Sequence, residues 1–71
     1  MNRFNPAKLR LSKWTATVVH NKEKHFLVVE LDLDEQGVLQ RVNLEAIYSG
    51  RIQTLDWQEL RDAQRWQMGW L

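Results

Sequence analysis

Cysteine is absent from the 71 residues. No disulfide can crosslink the chain and no thiolate zinc site can form. That usage fits a reducing compartment. Long apolar runs are missing too. None approaches the ~18 residues of a membrane span, and the first residues lack the apolar stretch of a signal peptide. The expectation is a soluble cytoplasmic protein with no membrane partner. Excess charge is also lacking: the net value is +1, so there is no global basic signal for nucleic acid.

The parts of a catalyst are equally scarce. There is no cysteine nucleophile, and Ser12 and Ser49 have no neighbouring His–acid pair. No Gly-rich loop is present to cradle phosphates. Glu30 and Glu45 fall on the polar phase of strand-like runs. A chain this short rarely builds a core and also walls off a deep pocket. No enzyme activity and no cofactor are expected.

What is present begins with residues 24–48, two strand-like runs about a tight turn. Leu27, Val29, Leu31 and Leu33 alternate with Val28, Glu30 and Asp32; Val38, Val42, Leu44 and Ala46 alternate with Arg41, Asn43 and Glu45. Period-two patterning predicts strands with one face in the core. Between them, Asp34 suits the start of a type I turn and Gly37 its closing positive φ. Upstream, Trp14, Ala16 and Val18 share one phase of a strand over residues 12–19, and the polar residues 21–24 join it to the next run. With His20 facing His25, Val18 meets Leu27, Ala16 meets Val29, Trp14 meets Leu31, and Lys13 finds Asp32. Downstream, Ser49-Gly50 marks a turn into a short strand over residues 51–55. Val19, Phe26, Val28, Ile47 and Ile52 then form a second apolar cluster on the opposite face.

Both ends read as short helical pieces. Asn5 suits an N-cap, with Pro6 at the first helical position, and Leu9 and Leu11 tether this segment; residues 1–4 are expected to be loose. Asp56 followed by Glu59 resembles a capping box opening a helix from Trp57 to about Ala63. The tail holding Trp66 and Trp70 is predicted to lie across the sheet as a strap. The fold class is therefore mainly β: one small domain over residues 1–71, a four-stranded antiparallel meander curled toward an SH3- or Tudor-like half barrel. Such a chain typically has about 3–5 kcal/mol of net stability unless something staples it. Its four tryptophans, each able to bury on the order of 150–250 Å², are the natural substitute for crosslinks.

The pattern Asn5-Pro, Leu9, Ser12-Lys-Trp-Thr-Ala16, Lys24-His-Phe26, Leu44-Glu-Ala46, Leu55-Asp-Trp57, Leu60, Asp62, Trp66 and Gly69-Trp70 resembles a family of short, tryptophan-rich bacterial proteins described as conserved hypothetical. The likeness spans almost the whole chain. It implies a bacterial, cytoplasmic domain that stands alone, and it assigns no catalytic or binding residue.

Charge is uneven along the chain. In residues 1–25, Arg3, Lys8, Arg10, Lys13, Lys22 and Lys24 stand against Glu23 alone; in residues 26–47, Arg41 alone stands against Glu30, Asp32, Asp34, Glu35 and Glu45. Neutralisation between neighbouring strands accounts for this simply. The functional reading is a surface for RNA or single-stranded nucleic acid, in which Arg10, Lys13, Lys22, Lys24 and Arg51 meet phosphates and an indole stacks on a base. Trp14 shares a phase with Ala16 and Val18, which favours burial; Trp70 is the indole expected to be partly exposed. The alternative is a protein-interaction module or homodimer acting through a sheet edge or an aromatic patch.

Two metal readings fail on their ligands. His20 and His25 flank a turn but have only Glu23 nearby, and a zinc or nickel site needs a third ligand. Residues 32–37 have the acids and the glycine of a calcium loop, but Asn43 stands where the bidentate glutamate belongs.

Overall fold

The structure, a computed structural model, describes residues 1–71. The chain is mainly β. Five strands, β1 (Lys13–His20), β2 (Glu23–Leu33), β3 (Leu39–Ala46), β4 (Ile52–Asp56) and β5 (Trp66–Met68), form one open antiparallel sheet in the order β4-β3-β2-β1-β5. The four-stranded meander is present, and its curl is compatible with an SH3-like half barrel. Short 3₁₀ helices lie at Pro6–Lys8 and Trp57–Arg61. Each has its predicted N-cap: Asn5 Oδ1 accepts from Ala7 N (3.0 Å) and Asp56 Oδ1 from Gln58 N (2.9 Å); the capping box is not completed, because the Glu59 carboxylate accepts from Arg65 Nη1 (2.9 Å). No helix is long and apolar enough to cross a membrane.

The β2–β3 turn also forms as its residues dictate. Asp34 Oδ1 accepts from Gln36 N (2.8 Å) and Val38 N (2.9 Å), and Gly37 closes the turn at φ +80°. Val42, Leu44 and Ala46 of β3 are fully buried. Their partners on β2 correct the expected phase. Phe26 and Val28 fill the core, Leu27 and Val29 are half-buried, and Leu33 is exposed. The run Phe26-Leu27-Val28-Val29 is apolar in both phases, so alternation alone does not choose. The pairing does: Phe26 lies opposite Ala46 and Val28 opposite Leu44. Val29 is then an extra residue, since Glu30 pairs with Asn43 and Leu31 with Val42. This bulge returns Leu31 to the core side. The predicted second cluster does not form, because Phe26 and Val28 join the main core while Val19, Ile47 and Ile52 stay exposed.

The β1–β2 register differs as well. The turn is two residues, Asn21 (φ 55°) and Lys22 (φ 62°), so His20 faces Glu23 and not His25. Positive φ at both central positions is the geometry that matches strand twist in a tight hairpin. Farther along, Trp14 pairs with Phe26 and Thr15 with His25. Both pairings hold because Ala16–Val19 face Lys24 alone, a wide irregularity in β1. Lys13 consequently stands opposite Leu27; Asp32 pairs instead with Arg41 (3.6 Å) and accepts from Asn43 (3.3 Å).

The tail is the third correction. Trp66–Met68 does not cross the sheet but extends it, pairing Ala16 with Trp66 and Trp14 with Met68. Three residues are too few for an alternating pattern to announce a strand. Only Gly69–Leu71 turns across the outer face. On the concave face the core gathers Leu9, Trp14, Phe26, Val28, Leu60 and Trp66 with the β3 residues. Phe4 stacks edge-on against Trp14 (5.5 Å) and Trp57 (6.2 Å). Residues 1–4 are held, not loose: Asn2 Nδ2 donates to Leu60 O (2.8 Å) and Trp66 O (2.7 Å).

Candidate nucleic-acid interface

Alternation along β1 and β2 puts Lys13, Thr15, His25 and Leu27 on the outer face, opposite the core. The tail settles on these residues. Thr15 is buried; its Oγ1 donates to Gly69 O (2.7 Å) and accepts from Leu71 N (3.0 Å). Gly69, at φ +84°, makes the bend that lets both bonds form. Trp70 is thereby laid beside β2, where its Nε1 donates to Phe26 O (2.9 Å) and its ring lies 6.0 Å from that of His25. His25 Nε2 in turn donates to Leu71 O (2.9 Å).

The result is an indole that is 41% exposed yet fixed in place. Lys13 Nζ stands 4.9 Å from the Trp70 ring centroid, inside the roughly 6 Å reach of a cation–π contact. No carboxylate pairs with Lys13. On its other side Lys13 borders a hollow of about 450 Å³ shared with Lys8, Leu11, Met68 and Gly69. Leu11 is 58% exposed and has φ 68°, a left-handed conformation that costs a non-glycine residue roughly 1–2 kcal/mol.

Of the six sequence-predicted residues, the fold brings Lys13 and Trp70 together. Arg10 is exposed in the loop leading to β1, Lys22 occupies the tip of the β1–β2 turn, and Lys24 is exposed at the start of β2. Arg51 lies elsewhere, just ahead of β4, at the open end of the concave face. It is bound there to Glu23: Arg51 Nη2 donates to Oε1 at 2.6 Å, and Nε to both carboxylate oxygens at 3.2 and 3.1 Å. Ser49 Oγ also donates to the Glu23 carboxylate. The Arg51 and Ser49 hydrogen bonds hold the Glu23 carboxyl at about 2, against an ordinary 4.5, and they outweigh desolvation. The Arg51 guanidinium is raised by the same contact.

Glu23 is a residue that reading the turn as polar misses, since it is only 4% exposed. No pattern in the chain announces this: a two-residue Asn21-Lys22 turn makes Glu23 the first residue of β2, but strict alternation would put it in the outward phase of His25 and Leu27, and its burial comes with the irregular β1–β2 pairing there.

A small, one-sheet β domain stabilised by buried indoles is the class that this fold defines. The chain belongs to the family described as Tryptophan-rich protein (DUF2389), whose model matches residues 12–71. That span holds all five strands and all four tryptophans, and leaves the segment carrying Phe4 and Leu9 outside. No curated protein and no solved structure matches the chain.

Proposed function

We propose that this protein is a non-catalytic cytoplasmic module that binds RNA or single-stranded nucleic acid through the outer face around Trp70. The observation that carries the reading is the Lys13–Trp70 pair: a half-exposed, immobilised ring with an unpaired ammonium 4.9 Å away. Sequence-tolerant binding of single strands needs those two elements, an aromatic face for a base and a cation for the adjoining phosphate. Lys8, across the shared hollow, supplies a second cation along the backbone path. The test is titration of the protein with mixed-sequence RNA at low salt, followed by tryptophan fluorescence. Saturable quenching that weakens steeply with salt supports the reading; no change up to about millimolar RNA removes it.

A second reading has its own support. β4 is a free edge whose residues include neither lysine nor proline, the usual guards of an exposed edge, and Ile47, Tyr48 and Ile52 around it are exposed. Edge-to-edge pairing of two copies through β4 predicts a mass in sedimentation that rises with concentration. A strictly monomeric protein at millimolar concentration eliminates it.

A further inference from the structure

The 3₁₀ helices cover only part of the concave face. At the other end, where β4 curls toward β1 and β5, a groove of about 320 Å³ stays open. Phe26, Leu55 and Trp66 give it apolar walls, and Arg51 and Arg65 both line it. This size is at the lower end of small-molecule sites, roughly 300–1,000 Å³. The groove is on the opposite side of the sheet from Trp70.

We propose that this groove binds a small, flat monocarboxylate, with the anionic group between Arg51 and Arg65 and the body against Phe26, Leu55 and Trp66. Three observations meet here. First, Arg51 is held in position: Glu23, 4% exposed, takes its Nε and Nη2, and Nη1 remains free for a further acceptor. A guanidinium oriented in this way is the usual means of receiving a planar carboxylate. Second, Arg65 spends only Nη1 on Glu59 (2.9 Å), and its backbone is pinned to the β1 irregularity by Thr17 N donating to Arg65 O (3.0 Å). Third, Trp66 walls the groove beside Phe26, the two rings edge-on with centroids 5.2 Å apart, an aromatic surface against which a flat ring packs.

Charge selects the ligand. Each arginine already has one carboxylate, Glu23 for Arg51 and Glu59 for Arg65. The four groups sum to zero, so a monocarboxylate leaves one net negative charge, held by the arginines' remaining N–H groups, whereas a dianionic phosphate would leave two and is disfavoured.

The probe is benzoate, with benzamide and phenyl phosphate as controls, followed by ¹H–¹⁵N spectra of the whole chain. Benzoate is expected to give saturable shifts at Trp66 Nε1 and Arg51 Nε and none at Trp70 Nε1. Arg65→Gln should weaken binding at least about fivefold. Val18→Trp, which adds bulk at an exposed position lining the groove, should abolish it with the fold intact. The proposal is overturned by any of four results: no saturable shift up to about 20 mM benzoate; equal binding of benzamide; tighter binding of phenyl phosphate; or unchanged affinity in both variants. None of these outcomes bears on RNA binding at Trp70, and failure of the RNA titration leaves the groove untouched.

Discussion

Glu23, the first residue of β2, and Arg51, on the approach to β4, are joined through three hydrogen bonds from the guanidinium to the carboxylate, the shortest 2.6 Å. β3 lies between their strands in the sheet. The pair therefore spans the curl, tying one edge to the β1–β2 hairpin without a backbone ladder. The Glu23 carboxyl titrates at about 2, below its ordinary 4.5. A group depressed on folding contributes stability that is present above its unfolded value and lost as pH falls toward its folded one. Stability should thus decline between about pH 4.5 and 2. In Glu23→Gln, thermal melts should show a lower Tm at neutral pH and a shallower acid decline. Arg51→Ala should be worse at neutral pH, because the buried carboxylate loses its cation, and its deficit should shrink in acid. Equal acid profiles in wild type and Glu23→Gln would show that the pair does not carry this dependence.

Lys13 and Trp70 are expected to act together on nucleic acid and separately on stability. Stacking of one base on an aromatic ring is worth about 1–3 kcal/mol, so Trp70→Ala should weaken RNA binding by roughly 5- to 150-fold. Lys13→Gln should lower the slope of log affinity against log salt by about 0.7, the contribution of one phosphate contact on a single strand. Lys22→Gln serves as the comparison, since the hairpin tip is apart from the ring. If Lys22→Gln changes the slope as much as Lys13→Gln does, the site is not where the ring is.

The family model begins at residue 12, yet Phe4 is packed edge-on against two tryptophans. Such aromatic pairs contribute about 0.5–1.5 kcal/mol each beyond their buried area. Phe4→Ala should therefore cost about 2–4 kcal/mol in urea denaturation, a large share of the stability available to a chain this size. A loss under about 0.5 kcal/mol would mean that the segment before β1 is an ornament on a core that closes without it.

What was legible in the chain and what was not divides along physical lines. Local chemistry was readable: Asp34 and Gly37 dictate their turn, Asn5 and Asp56 their caps, and Val42, Leu44 and Ala46 their buried face. Trp14 belonged inside because its strand neighbours in phase are apolar. The phase of β2 was not readable, since Phe26 through Val29 is apolar on both faces and the choice is made by Ala46, Leu44 and Trp14 across the ladder. Nor was β5, which is defined by pairing with β1 and not by any pattern of its own. The site followed the same division. Lys13 and Trp70 are each readable as a cation and an exposed ring, but their contact exists only because Thr15 anchors the tail. Arg51 reads as a phosphate ligand until Glu23, hidden in an apparently polar turn, is seen to hold it.

The β1–β2 turn offers the sharpest check on the register. Asn21 and Lys22 both have positive φ, the combination that Asn-Gly satisfies best. Lysine in that region bears a steric cost of roughly 1–2 kcal/mol that glycine escapes, partly offset by the greater freedom glycine loses on folding. Lys22→Gly should therefore stabilise the protein by about 0.5–1 kcal/mol, read as a higher midpoint in urea. Lys24→Gly, two residues on and within β2, should destabilise by a similar amount. The longer polar loop from Asn21 to Lys24, with His20 facing His25, makes the opposite forecast, because there Lys24 is loop and glycine costs nothing. Amide exchange gives a second readout. Slow exchange at Glu23, which faces His20 across the turn, belongs to the tight hairpin alone.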